Sequence, residues 1–222
     1  MTDQGVIFDL DGVLVDSSAL HLESWRIVGA ERGFTMTEAL FRETFGMPNA
    51  QIFVRLFGHP LPEEEARELS ERKEAVYREL AVGRLEALPG VVPLLRALRA
   101  EGFRLALGSS TPMSNIRVIL DAIGVRECFD AVVCADDVTH GKPHPEVFLK
   151  AAERIGVPPE CCVVVEDALV GVQAAKAAGM RCLAVTTTHP RERLQEADRV
   201  VDHLTEVTPA DFRALLAPGA AR

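Results

Sequence analysis

Positive charge is in short supply. Lysine and arginine number 24 against 33 aspartates and glutamates, a formal net charge of −9. A surface of that sign argues against nucleic acid and against an anionic membrane as partners, and it leaves attraction of a phosphorylated substrate to local groups. Cysteine pairs are missing as well. The five cysteines, Cys128, Cys134, Cys161, Cys162 and Cys182, are odd in number and show neither a C-x-x-C nor a zinc-like spacing. Several stand in apolar runs, where a small buried thiol is the simplest role. No apolar run approaches the ~18 residues that a membrane span needs, and Met1-Thr2-Asp3-Gln4 does not open a signal peptide. These absences point to a cytoplasmic, reducing setting. Repeats and low-complexity stretches are absent too.

What is present suits one α/β domain or a core plus a small insert: 222 residues, 48% hydrophobic and 26% charged. Five apolar runs read as strands buried on both faces: Val6–Leu10, Leu105–Leu107, Ala131–Cys134, Val163–Val165 and Cys182–Val185. Helical patterns alternate with the later ones, at Val91–Ala100, Met113–Ile123, Pro145–Ile155 and Val170–Ala178. The alternation predicts a Rossmann-like, doubly wound parallel sheet, closed by a weak strand at Arg199–Val201 and a helix at Pro209–Leu216. The tail Ala217–Arg222 reads as frayed. Residues 17–88 break the alternation, with helical patterns at Leu20–Arg32, Met36–Phe45, Asn49–Leu56 and Glu63–Leu80. Asp16-Ser17-Ser18 offers cap chemistry to the first, and Glu63-Glu64-Glu65 puts negative charge in the first turn of the last. Some seventy helical residues are too many for a crossover. The expected organisation is therefore a core of residues 1–16 and 89–222 and a helical insert of residues 17–88, with Leu88-Pro89-Gly90 as the return hinge.

In a parallel sheet, ligands bind outside the carboxyl ends of the strands. Four polar stations stand there. Asp9 and Asp11 follow the first strand in Phe8-Asp9-Leu10-Asp11-Gly12-Val13. Residues i and i+2 of a strand point to the same side, so the two carboxylates converge, and such a pair needs a cation or a shared proton. That suits a metal-assisted nucleophile with an acid/base beside it. Gly108-Ser109-Ser110-Thr111 follows the second strand and offers hydroxyls to a phosphate, although serines and threonines also cap helices. Lys142, in Gly141-Lys142-Pro143-His144-Pro145, is either a surface lysine or a counter-charge for a transferring phosphoryl group. Glu166-Asp167 follows the fourth strand and offers either oxygen ligands suited to Mg2+ or helix capping. Each station alone is ambiguous. Their recurrence at four successive strand ends is a strong joint signal.

The order Asp-x-Asp-Gly-Val, Ser-Ser-Thr, Gly-Lys-Pro-x-Pro, Glu-Asp resembles the haloacid dehalogenase superfamily, and does so over essentially the whole chain. The β-phosphoglucomutase-like and phosphoglycolate phosphatase-like branch is the nearest in pattern, through Phe8 to Ser17, His21 and Trp25. The resemblance implies that the insert is that superfamily's C1-type mobile cap. It implies Asp9 as a nucleophile forming an aspartyl-phosphate and Asp11 as general acid/base. Ser109, Ser110 and Lys142 would bind phosphate, with Mg2+ held by Asp9, the Asp11 backbone carbonyl, Asp167 and Glu166, the last directly or in support. Ser17, His21, Asn49 and Lys73 would meet the substrate from the cap. It also implies a monomer acting on a small phosphorylated metabolite, without nucleic acid or membrane.

Two departures bear on substrate. Mutases of this branch resemble Gly-x-x-Arg where this chain has Gly46-Met47-Pro48-Asn49, and Asn49 lacks the charged fork that grips a second phosphate. Arg55 lies about two turns later on the same helix, and Pro112-Met113 replaces the mutases' Lys-Asn pair. The expectation is a phosphatase, for which one phosphate site suffices, with a sugar phosphate as substrate. A β-phosphoglucomutase is the alternative. Dehalogenases lack the second aspartate. Receiver domains of response regulators, a non-catalytic alternative, carry their acidic pair on the first strand and their phosphorylated aspartate later, the reverse of the order here.

Overall fold

The apolar run after Gln4 forms β1 (Gly5–Phe8), in which every residue is buried. The structure is a computed structural model, and it describes residues 3–45 and 47–217. The chain divides into two compact units, Met1–Asp16 with Glu86–Arg222, and Ser17–Leu85.

The first unit is a parallel sheet in a doubly wound α/β arrangement. Its strands are β1, β2 (Arg104–Gly108), β3 (Ala131–Val133), β4 (Cys162–Glu166), β5 (Arg181–Val185) and β6 (Arg199–Val201), in the order β3-β2-β1-β4-β5-β6. The chain winds outward from β1 to β3, then returns to β4 on β1's other side. That reversal makes the carboxyl ends of β1 and β4 a topological switch point, the usual ligand position. Register brings Phe8 opposite Val165, so Asp9 and Glu166 come next at the same edge. Helices α5 (Val91–Ala100), α6 (Met113–Ala122), α7 (Glu146–Ile155), α8 (Leu169–Ala177) and α9 (Pro209–Leu216) connect or follow the strands. One core cluster joins Ile7, Ala106 and Val164 from the sheet to Val147, Phe148 and Ala151 of α7 and Val172 of α8. Phe148 is fully buried, and truncating such a ring costs ~3–5 kcal/mol.

The sheet ladder stops earlier than the apolar run suggests. Asp9 still donates its N–H to Val165 O at 2.9 Å, but Asp11 already belongs to a turn and bridges to Val15. Gly12 takes φ +80°, open to a residue without Cβ. A turn, and not strand alternation, therefore sets the relation of Asp9 to Asp11.

The second unit is helical: α1 (Ser18–Arg32), α2 (Glu38–Thr44), α3 (Asn49–Phe57) and α4 (Glu63–Ala81). They share a core cluster of Trp25, Val28, Met36, Phe41, Ile52, Phe53, Leu69 and Val76. Trp25 is thus a packing residue, edge-on to Phe34 and Phe53. Helix α1 begins before Leu20, and Ser17 occupies its N-cap position without a side-chain cap bond. Helix α2 begins later than Met36 because the Thr37 hydroxyl accepts the Leu40 N–H, fixing the start. Glu63, Glu64 and Glu65 fill the first turn of α4. The unit ends at Leu85, ahead of the expected hinge. The reason is backbone pairing: Ala87 bridges antiparallel to Val15, and Leu88 N donates to Leu14 O at 2.9 Å. Gly46, and residues 218–222 of the expected frayed tail, lie outside the described residues. Among the described residues no helix is long and apolar enough to cross a membrane.

Candidate active site

Three of the four polar stations meet at the switch point. Asp9, Glu166 and Asp167 are 8%, 1% and 4% exposed, and their carboxylates offer oxygens within 4.8 Å of one another. Lys142 reaches this cluster from the loop after β3. Its Nζ lies 2.7 Å from Asp9 Oδ1 and 2.7 Å from Glu166 Oε1, with its side chain 8% exposed. The Phe148 ring stands 4.7 Å from the ammonium and forms the apolar side of its niche. Lys142 is therefore not a surface lysine.

One ammonium among three buried carboxylates leaves a surplus of negative charge. Burial, reinforced by the charges of Glu166 and Asp11 and opposed by Lys142, raises Asp9 to about 7. Burial, then the charges of Glu166 and Asp9, also push Asp167 well above the usual carboxylate range. Burial alone would lower Lys142, but the Asp9 and Glu166 carboxylates win and hold it above its ordinary value. A hard divalent cation answers both features of the cluster, its surplus charge and its all-oxygen donor set. The residues fit such an ion.

Glu166 carries a second duty. Its Oε2 accepts the N–H groups of Asp167 and Ala168, each at 2.8 Å, at the entry to α8. Those N–H groups precede the helix, so the carboxylate fixes the loop before α8 and, through Oε1, meets Lys142. Two glycines make room for the acidic pair. A Cβ at Gly171 would fall on the Glu166 carboxylate, and one at Gly12 on that of Asp167. Thr188 Oγ1 also donates to Asp167 Oδ2.

Asp11 is placed differently. It is not part of the three-carboxylate cluster. Thr111 Oγ1 donates to Asp11 Oδ2 at 2.6 Å, tying the end of β2 to the turn after β1. Ser109, 2% exposed, accepts the Thr111 N–H on its Oγ at 3.1 Å. Helix α6 takes Pro112 at its N-cap with no side-chain cap bond. Ser110 is exposed.

Thr111, Thr188 and Gly171 were not singled out from the sequence. Thr188 follows β5 at the same sheet edge, so the strand-end rule applied once more points to it. Gly171 gave no local signal, because its neighbour across space is Glu166.

In the second unit, three of the four expected cap residues gather around Glu74. Lys73 Nζ lies 2.9 Å from Glu74 Oε1 and 2.7 Å from His21 Nδ1, and Asn49 Nδ2 donates to Glu74 Oε1 at 3.0 Å. Lys73 is 3% exposed, not solvated as its charged neighbours suggest. The His21 ring stacks on Tyr77, centroids 4.0 Å apart. Burial, aided by the Lys73 charge, lowers His21 well below 6.5. Ser17 is buried at the start of α1. Arg55 pairs with Glu43 at 3.5 Å on the surface of this unit.

Known proteins resemble this chain in sequence and fold. Over 181 residues the chain is 36% identical to a phosphorylated carbohydrates phosphatase of Thermotoga maritima, covering 80% of this chain and 82% of that one. It is 34% identical over 181 residues to the fructose-1-phosphate phosphatase YqaB of Escherichia coli, covering 82% and 95%. The crystal structure of a β-phosphoglucomutase from Clostridium difficile superposes with a TM-score of 0.84 at 28% identity, covering 97% of each chain. The family model for haloacid dehalogenase-like hydrolases matches residues 4–179, a span that holds Asp9, Asp11, Ser109, Lys142, Glu166 and Asp167, and the chain belongs to that hydrolase family.

Proposed function

We propose that the chain is a Mg2+-dependent phosphatase of a small phosphorylated sugar, working through a phosphorylated Asp9. The observation that carries this reading is the double contact of Lys142 with Asp9 and Glu166 inside a buried cluster of three carboxylates. A nucleophilic carboxylate needs neighbouring positive charge before a phosphate dianion can approach it. Lys142 supplies part of it. Mg2+ would be held by Asp9, Asp167 and the Asp11 carbonyl, with Glu166 in support because its oxygens already serve Lys142 and two backbone N–H groups. When bound, the ion supplies further charge to offset the repulsion between carboxylate and phosphate.

In the first step an Asp9 oxygen bonds to phosphorus and the ester P–O bond breaks. The departing oxygen takes its proton from Asp11, which the Thr111 hydroxyl orients. In the second, water gives its proton to Asp11 and attacks the same phosphorus. The Asp9–phosphorus bond breaks, phosphate is released and the carboxylate is restored. Ser109, Ser110 and Lys142 hold the phosphoryl oxygens throughout. Ser17, His21, Asn49 and Lys73 act in substrate selection.

The relatives named for phosphorylated carbohydrates and fructose 1-phosphate support a sugar phosphate as substrate. A panel of phosphorylated sugars and short acids tests this, assayed for phosphate release with Mg2+, with and without a hexose 1,6-bisphosphate primer. Fast release without primer, stopped reversibly by a chelator, is the expected result. Slow release with primer-dependent conversion of a 1-phosphate to a 6-phosphate would establish a mutase instead. Release that halts at one equivalent would mark a receiver-like phospho-acceptor.

A further inference from the structure

A second group of metal-ligating side chains lies outside the buried cluster. His140, His144 and Glu146 span the turn between β3 and α7, and each offers a ligand atom within 4.8 Å of the others. Their donors differ in kind from those of Asp9, Glu166 and Asp167. Two imidazoles and one carboxylate suit a borderline transition-metal ion, whereas three carboxylates suit a hard one.

The three side chains are already gathered. The two rings lie with centroids 4.6 Å apart and planes tilted by 35°. His140 Nδ1 stands 3.2 Å from Glu146 Oε2, and His144 Nδ1 accepts the Glu146 N–H at 3.3 Å. Both contacts are long, so a cation that replaces them displaces little. Glu146 itself is held firmly. Its Oε1 accepts from Thr139 N at 3.1 Å and Lys150 Nζ at 2.7 Å, and its Oε2 accepts from His140 N at 3.0 Å. Second partners of this sort orient a ligating carboxylate before any ion arrives. His140 and His144 are exposed, which leaves an entry path and room for water as a further ligand.

We propose that His140, His144 and Glu146 form a second cation site that takes a transition-metal ion of the Zn2+ class, one ring nitrogen from each histidine and one oxygen from Glu146 completing three protein ligands. The site is separate from the buried carboxylates and does not depend on the phosphatase reading. Its position has a consequence. The residues between the two histidines include Lys142, so an ion bound here staples the loop that presents that ammonium to Asp9.

The test uses the untagged full chain in excess Mg2+, which keeps the carboxylate cluster supplied. Zn2+ binding is measured by calorimetry, and Cu2+ serves as a spectroscopic probe. The expected result is one Zn2+ equivalent, weakened at least about tenfold by the double variant His140→Ala/His144→Ala. Cu2+ should show electron-paramagnetic splitting from two imidazole nitrogens, lost in that variant and retained in Glu146→Gln, which binds more weakly. Zn2+ binding unchanged in the double variant, or a Cu2+ spectrum without two-nitrogen splitting, would overturn the proposal.

Discussion

Lys142 and Asp9, 133 residues apart in sequence, meet at 2.7 Å at the carboxyl edge of the sheet. The ammonium comes from the loop after β3 and the carboxylate from the end of β1. The ammonium is tolerable in so buried a place because Asp9 and Glu166 both face it, and the carboxylates need its charge in turn, which makes the contact a constraint on stability as well as on chemistry.

Lys142→Met should therefore destabilise the metal-free protein by ~3–5 kcal/mol, the usual consequence of removing one partner from a buried charge pair. Mg2+ should return part of that loss by supplying the missing positive charge. Urea unfolding with and without the ion reads both effects. An unchanged midpoint would show that the three carboxylates do not need the ammonium.

Asp9→Asn should abolish turnover and leave the fold intact. The substitution removes one charge from a cluster in which Asp9 is already pushed up to about 7 by burial and by its acidic neighbours. Unfolding midpoints at or above wild type are expected together with no measurable phosphate release. Retained release would remove Asp9 from the nucleophile's role.

For Asp11→Asn, the expected loss in rate is ~10²–10⁴, the range of general acid–base catalysis. Thr111→Val should fall between that variant and wild type, since it removes only the hydrogen bond to Asp11 Oδ2. The smallest effects should come with substrates whose leaving group needs no proton. A uniform loss across leaving groups contradicts the acid/base assignment.

Gly171→Ala places a methyl group where the Glu166 carboxylate now sits. Helix α8 itself should gain from the change, because alanine is the better helix former by ~1 kcal/mol. A higher Mg2+ concentration for half-maximal activity is expected, in a protein that remains folded. An unaltered Mg2+ dependence would mean that Glu166 has no part in holding the ion.

His21 gives a pH dependence of stability. Its folded-state value lies well below 6.5, through burial first and the Lys73 charge second. Below pH 6.5 the unfolded chain takes up a proton that the folded chain refuses, so stability present at pH 7 declines as pH falls. The slope from this one group is at most about 1.4 kcal/mol per pH unit. His21→Gln should flatten the decline between pH 6.5 and 5 in chemical denaturation. Parallel curves for the two proteins would assign the dependence elsewhere.

Much of this arrangement was legible in the sequence because parallel α/β folds separate packing from chemistry. Buried strands announce themselves as apolar runs, and the residues just after them mark the ligand edge. That rule singles out Asp9, Lys142, Glu166 and Asp167, which the fold brings together. What was not legible depends on contacts across space. Lys73 sits among charged residues in sequence, yet α4 turns it into the helical unit beside His21 and Glu74. The relation of Asp9 to Asp11 rests on a turn that the apolar run conceals. Gly171 is explained only by a side chain five residues earlier that folds back over it.

The stereochemical course at phosphorus decides whether a phosphorylated Asp9 forms. A phosphorothioate sugar ester made chiral with oxygen isotopes is hydrolysed in water of the third isotope, and the configuration of the thiophosphate product is determined. Attack by Asp9 followed by attack of water inverts phosphorus twice, so overall retention is expected. Overall inversion would mean that water displaces the sugar directly and that no phosphorylated Asp9 forms.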